Sequence, residues 1–195
     1  MHRNKLERYQ QKRDFNRTSE PRDHDSSNEY NNVFVVQQHN ARRHHYDFRL
    51  QSGDVLKSWA VPKGPSTDPR DKRLAAPTED HPLDYADFEG VIPEGEYGAG
   101  AVILWDKGQY INVRAEKSDD GADLEQSYQQ GKIEIRLEGE KLKGEYALIK
   151  MKKTGQWILI KTRDEEADAR KNPVSTQPKS VKSGQTLKEL EKKHQ

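Results

Sequence analysis

Short apolar or alternating runs recur along this chain, each bounded by Gly, Pro, Asn or Asp, at 33–37, 45–50, 55–61, 101–106, 110–114, 132–137, 142–151 and 157–162. Runs of that length make strands, because successive strand side chains point to opposite faces of a sheet. The alternation is plain in Lys132-Ile133-Glu134-Ile135-Arg136-Leu137, and Ser52-Gly53-Asp54, Lys107-Gly108, Glu138-Gly139 and Thr154-Gly155 supply turns between neighbouring runs. The pattern predicts a mainly β fold: a single-domain closed or nearly closed antiparallel β-barrel with a few short flanking helices. Helix is expected only at Asn4–Arg13, Asp123–Gln130 and Thr186–Lys193, the last two too poor in apolar residues for a central place in the core.

Apolar residues are distributed unevenly, with five in residues 1–32 and six in 164–195. The folded body is therefore expected at 33–163, flanked by a polar arm (1–32) and a charged tail (164–195) whose composition cannot offset the entropy of ordering. On that ground both ends are expected to be disordered, with 172–184 read as a Pro/Ser/Thr/Lys-rich linker. Thirty-four Lys and Arg against 33 Asp and Glu leave a net charge of +1, so any argument for a polyanionic partner must be local. The chain has no cysteine, which excludes disulfides, thiolate metal sites and a Cys nucleophile. Its longest apolar runs, such as Ala101-Val102-Ile103-Leu104-Trp105, fall far short of the ~20 residues that span a bilayer. With no apolar signal segment at the N-terminus either, a soluble cytoplasmic protein with no membrane partner is expected.

The most informative stretch is His39-Asn40-Ala41-Arg42-Arg43-His44-His45-Tyr46-Asp47-Phe48-Arg49-Leu50. On a strand, His45, Asp47 and Arg49 share one face while Tyr46, Phe48 and Leu50 share the other, which separates a chemical face from a core face. An imidazole and a carboxylate two residues apart can converge on one hard or borderline divalent cation, and His39 can supply a third ligand. His44 has the parity of the core face and is not expected to ligate. Histidines near arginines also form plain surface patches, and on the residues alone that reading weighs about equally.

Further polar groups follow at strand ends: Lys63, Arg73 and the run Glu79-Asp80-His81-Pro82-Leu83-Asp84-Tyr85. Arg49, Lys63 and Arg73 suit the several acceptor oxygens of a phosphate, and His81 can contact phosphate or donate a proton to a leaving group. A metal beside such cations is the apparatus of phosphoryl transfer. Taken singly, each of these cations is more often a solvated surface charge. Two tempting motifs carry less. The loop Ile92–Gly100 is glycine-rich but lacks a P-loop Lys-Ser/Thr and opens a strand, so it reads as a tight turn, and Lys117-Ser118-Asp119-Asp120-Gly121 has one residue too many for the lysine motif of nucleotidyl-transferring ligases.

The stretch Phe34–Leu50, followed by Leu56-Lys57-Ser58-Trp59-Ala60-Val61-Pro62-Lys63-Gly64-Pro65-Ser66, Arg73-Leu74-Ala75, Glu79–Tyr85, Phe88-Glu89-Gly90-Val91-Ile92-Pro93 and Tyr97-Gly98, closely resembles the 3′-phosphoesterase domain of bacterial ATP-dependent DNA ligase D. The likeness covers about residues 10–163. It implies that His39, His45 and Asp47 hold Mn²⁺, other divalent transition metals being possible. It also implies that Arg49 and His81, with His45 and Lys63, contact the scissile phosphate, and that Gln37, Arg73, Glu79 and Tyr85 complete the catalytic set. The match at Lys12–Phe15 and Thr18–Pro21 implies functional roles for Arg13, Asp14 and Glu20, so part of the arm would fold over the site.

The implied activity is 3′-end healing: a phosphodiesterase cut that removes a terminal ribonucleoside, then a phosphomonoesterase step that leaves a 3′-hydroxyl on DNA or primer-template ends. The chain shows no ligase motif, so separate repair ligase and polymerase partners would act in trans. Arg43-His44 departs from the smaller or apolar pair expected there. Two other readings stay open on the residues alone. One is a 2-His-1-carboxylate iron oxygenase using His45, Asp47 and His81; the other is a non-catalytic nucleic-acid-binding barrel with stacking aromatics.

Overall fold

In the computed structural model, which describes residues 4–117 and 122–195, ten strands form one antiparallel sheet that closes on itself. They are β1 (Val33–Asn40), β2 (His44–Ser52), β3 (Val55–Val61), β4 (Arg73–Pro77), β5 (His81–Pro82), β6 (Gly90–Ile92), β7 (Gly100–Asn112), β8 (Lys132–Gly139), β9 (Lys143–Lys150) and β10 (Trp157–Lys161). The ring runs β1-β2-β3-β4-β10-β9-β8-β7 and returns to β1, while β5 is added on β3 and β6 on β7. The predicted barrel is therefore closed, which leaves no free edge among its eight strands.

One expected break is absent. Lys107-Gly108 lies inside β7, which runs unbroken for 13 residues along both β1 and β8. Gly108 serves close strand approach here: a Cβ on it would stand 2.1 Å from the Glu138 carbonyl oxygen. The curvature comes instead from a register shift between β1 and β7 at Val36/Gln37. Of the other turn signals, Glu138-Gly139 ends β8, while Gly53 and Gly155 lie between strands and take the left-handed φ of 60° and 71° that glycine accepts without strain.

Inside the barrel, Phe34, Val36, Phe48, Leu50, Trp59 and Trp157 belong to a fully enclosed core that Leu124 joins from α3 (Leu124–Gln130). The Trp59 and Trp157 rings meet edge-on, 5.6 Å apart. The opposite parity of β1, β3 and β7 (Val33, Val35, Leu56, Val102, Leu104) is buried as well, under the 3₁₀ turn Leu83–Asp87 and Tyr9 of α1 (Glu7–Gln11). The wall made by β1 to β3 is thus covered on both faces, and the functional groups sit on its outer one.

The described parts of both ends are packed against the barrel, contrary to their composition. Tyr9 is fully buried, and its hydroxyl donates to the Pro21 carbonyl. The 172–184 stretch includes α4 (Pro173–Thr176) and is tied to β7, where Trp105 Nε1 donates to the Gln177 carbonyl (2.8 Å) and Val181 N to that of Leu104 (2.9 Å). α5 (Leu187–Lys193) starts at a capping box on Thr186 and sets Leu187 and Leu190 on Ala101 and Ile103. The remaining helix is α2 (Val113–Lys117), and the stretch 118–121 of the discounted lysine motif lies outside the described residues. No helix among the described residues is long and apolar enough to cross a membrane.

Candidate active site

Strand register places the candidate groups in rows on the outer wall. His39 faces His45, Gln37 faces Asp47 and then Ala60, and Val35 faces Arg49 and then Ser58. Neighbouring strands lie ~4.8 Å apart, so the members of a row converge on one patch. Ala60 is the small member of the Asp47 row, and the space above it belongs to a cavity of about 300 Å³.

At one side of that cavity stand His39, His45 and Asp47, whose ligand atoms all lie within 4.8 Å of one another. Asp47 Oδ2 is 3.3 Å from His45 Nε2 and 3.5 Å from His39 Nδ1. The remaining ring nitrogens are spoken for: His39 Nε2 donates to the Gly98 carbonyl (2.7 Å) and His45 Nδ1 to that of Arg43 (2.9 Å). Those bonds orient both rings so that His39 Nδ1 and His45 Nε2 face the carboxylate, where they are the ring atoms placed to ligate a cation. Outer hydrogen bonds of this kind orient histidine ligands, and two imidazoles with one carboxylate suit a borderline divalent ion. Burial pushes the Asp47 carboxyl up, but the Arg49 guanidinium and hydrogen bonds from His39 and His45 outweigh it and hold its pKa well below the usual range. Burial pulls the His45 imidazole down, yet its hydrogen bond to Asp47 and that carboxylate's charge leave its pKa raised.

Arg49 is nearly buried, at 3% exposure, and its fork is divided three ways. Nε donates to Gln37 Oε1 (2.7 Å), Nη2 lies 3.4 Å from Asp47 Oδ2, and Nη1 is buried with no partner in a side chain that lines the cavity. A buried guanidinium nitrogen left unpaired is costly unless something fills it, and an anionic oxygen is the natural acceptor. Gln37 lies beneath the cavity rather than in it, its Nε2 donating to the carbonyls of Tyr85 (2.8 Å) and Phe88 (2.9 Å). It therefore braces Arg49 against the 3₁₀ turn.

His81 enters from β5, with Nδ1 donating to the Glu79 carbonyl at 2.8 Å and its ring wedged between Tyr85 and Tyr9 at centroid distances of 4.7 and 5.0 Å. Burial, then the charges of Arg49 and Arg13, hold its pKa well below the usual histidine value, so the ring is neutral near pH 7 with Nε2 as an acceptor. The arm closes the site. Glu20, 4% exposed, accepts from the Tyr85 hydroxyl (2.7 Å) and Arg13 Nε (3.1 Å), while Arg13 Nη1 reaches Glu79 (3.4 Å) and its guanidinium lies 3.8 Å from the Tyr9 ring centroid. Burial, then the Glu20 charge, raise the Tyr85 pKa well above that of a free phenol, keeping it a donor.

Arg13, Glu20, His39, His45, Asp47, Arg49, Glu79, His81 and Tyr85 thus line one cavity. Gln37 braces it from below, and three expected members stand away from it. Lys63 is exposed beyond β3 and has no hydrogen bond or ion pair among the described residues; Arg73 is half-buried on β4 beside Asp71 (3.3 Å); exposed Asp14 caps its own turn by accepting from Asn16 N (3.0 Å). The triad His45, Asp47 and His81 is not the cluster that forms, since His39 takes the third place. His44 is exposed, edge-on to Tyr46 at 5.3 Å and bonded to Gln38. Tyr9, Thr78, Tyr97 and Gly98 were not foreseen. Tyr97 and Gly98 carried a signal, as a matched pair of the 92–100 loop, in which Gly98 takes φ 75° and turns its carbonyl onto His39.

Fold and cavity together define a β-barrel with a two-imidazole, one-carboxylate cluster that could hold a metal, beside a guanidinium with an unpartnered nitrogen. The chain belongs to the DNA ligase D 3′-phosphoesterase domain family, whose pattern matches residues 37–150. It is 45% identical over 189 residues, 93% of its length, to the multifunctional non-homologous end joining protein LigD of Pseudomonas aeruginosa. It is also 42% and 41% identical, over 83% of its length, to the LigD proteins of Mycobacterium bovis and Mycolicibacterium smegmatis. The chain spans about a fifth of the length of these relatives, 22%, 20% and 21% respectively.

Proposed function

We propose that this chain is a divalent-metal-dependent 3′-phosphoesterase that removes 3′-phosphates and 3′-terminal ribonucleosides from DNA or primer-template ends, leaving a 3′-hydroxyl for repair and ligation. The observation that carries this reading is the unpartnered Arg49 Nη1 in the same cavity as the His39, His45 and Asp47 cluster. A divalent cation on those three ligands, Mn²⁺ by family resemblance, supplies Lewis acidity toward a phosphoryl oxygen and a bound water of lowered pKa.

The chain's own residues do the rest. Arg49 binds a non-bridging phosphate oxygen through Nη1 while Gln37 and Asp47 keep its plane fixed. His81, neutral in the free protein, would take up a proton from solvent at Nε2 once an arriving phosphate dianion offsets the charges of Arg49 and Arg13, and would give that proton to the leaving oxygen. Glu20 and Arg13 hold Tyr85 and roof the cavity against water. Separate ligase and polymerase activities would use the healed end. Among the earlier alternatives, iron-dependent oxygenation gives no role to the buried cations, and a passive binding barrel none to the ligand cluster.

The test is a labelled primer-template ending in a 3′-phosphate or a 3′ ribonucleotide. Excess chelator should abolish hydrolysis and Mn²⁺ restore it, whereas full activity in chelator refutes the metal mechanism.

A further inference from the structure

A cavity of about 300 Å³ is at the small end of sites that hold organic ligands, large enough for a phosphate and its sugar but not for a polynucleotide. The rest of a nucleic-acid end must lie over its rim. Tyr97 stands there, lining the cavity while 48% exposed, and only Leu74 is a comparably exposed large apolar residue among the described ones. The loop that presents Tyr97 is tight: Glu96 N donates to Pro93 O and Ala99 N to Glu96 O (both 3.1 Å), with Gly95 and Gly98 at φ 86° and 75°. The next residue, Gly98, gives its carbonyl to His39, which ties the loop that carries Tyr97 to the candidate ligand cluster.

The surroundings suit a polyanion. Lys12 Nζ lies 4.6 Å and the Arg13 guanidinium 5.4 Å from the Tyr97 ring centroid. Arg42 and Arg43 form the exposed tip of the hairpin whose Ala41 lines the same cavity. An exposed ring flanked by cations beside a phosphate site is the arrangement on which single-stranded bases stack. A latch for Lys12 leaves the ring itself unexplained: Lys12 Nζ reaches the Tyr97 hydroxyl at 3.3 Å and Glu79 at 3.1 Å, contacts that still leave the tyrosine 48% exposed.

We propose that Tyr97 is the stacking platform for the nucleobase of the 3′-terminal nucleotide whose phosphate enters the cavity. The inference rests on the 3′-phosphoesterase reading and adds to it a residue that selects for a base-bearing end.

Two measurements test it. In hydrolysis with Mn²⁺, the wild-type should favour a base-bearing 3′-phosphate oligonucleotide over one with an abasic terminal residue by about tenfold in kcat/KM. Tyr97→Leu should lose that preference and Tyr97→Trp keep it. In metal-free binding, an oligonucleotide with 2-aminopurine as its terminal base should be quenched by the wild-type and by Tyr97→Trp, and not by Tyr97→Leu. A Tyr97→Leu protein that keeps both the base preference and the quenching overturns the proposal. A wild-type protein that hydrolyses neither substrate overturns the 3′-phosphoesterase reading and this inference with it, whereas hydrolysis of both at equal rates removes Tyr97 alone.

Discussion

Arg49→Lys keeps the positive charge of the site and removes its shape. The guanidinium serves three directions at once, Nε to Gln37 at 2.7 Å, Nη2 toward Asp47 at 3.4 Å and Nη1 unpartnered in the cavity wall, whereas an ammonium presents all its donors from one atom. A lysine that stays with Asp47 leaves Gln37 Oε1 unpaired in a fully buried side chain, which costs about 1–3 kcal/mol. For a chain of this size that corresponds to a fall of roughly 2–12 °C in Tm. Loss of the donor aimed at the developing phosphate charge is worth about 10²–10³ in kcat. The assay is single-turnover release of phosphate from a 3′-phosphorylated primer-template at saturating Mn²⁺, with Tm measured on the same preparation. A variant within threefold of the wild-type rate would falsify the assignment of Nη1 to the phosphate, because it would show that charge alone suffices.

The neighbouring histidines give a second test. His45→Ala should abolish catalysis and weaken metal binding, while His44→Ala, whose exposed ring meets Tyr46 and Gln38, should keep most activity and lose at most ~1 kcal/mol of stability; titration with Mn²⁺ and rates on one substrate separate them. Deleting residues 1–21 should lower both rate and stability, because Tyr9 is fully buried and its loss alone forfeits about 1.5–3 kcal/mol of apolar burial; an unchanged denaturant midpoint would show that the arm does not pack. His81 links stability to pH. Burial, then Arg49 and Arg13, depress its folded pKa, so its contribution is complete above ~6.5 and is lost as the pH falls, where the unfolded chain takes up a proton that the folded one resists. Between pH 7.5 and 5.5 the wild-type Tm should fall more than that of His81→Gln, and parallel curves would contradict a buried neutral ring.

The strands were legible because each repeats the same chemistry many times over. Residues 132–137 alternate without exception, and the division of 45–50 into His/Asp/Arg and Tyr/Phe/Leu faces follows from strand geometry alone. Gly108 misled because a glycine that lets two backbones approach looks in sequence like one that turns a chain. The ends were misread for a different reason. Tyr9, Leu187 and Leu190 are single apolar side chains set in polar sequence, and much of what anchors the tail is hydrogen bonding to backbone, as at Gln177 and Val181, which composition does not register. The site was half visible: Arg49 and Asp47 announce themselves by spacing, but the absence of Lys63 and Arg73 from the cavity depends on where β3 and β4 leave the sheet.

The three proposed ligand side chains and the guanidinium proposed to face phosphate all fall between residues 39 and 49, on a single hairpin. The ligand cluster and its guanidinium therefore travel as one short cassette, with His81 added from β5 and Arg13 and Glu20 from the arm, and the far wall of the barrel is free to be remodelled. A domain spliced in at Gly155, where a Cβ would meet nothing within 4 Å, interrupts only the β9–β10 turn and leaves the covalent spacing of every ligand untouched. For anyone building fusions on this scaffold, the β9–β10 turn is the place to cut and the β1–β2 hairpin the place to leave alone.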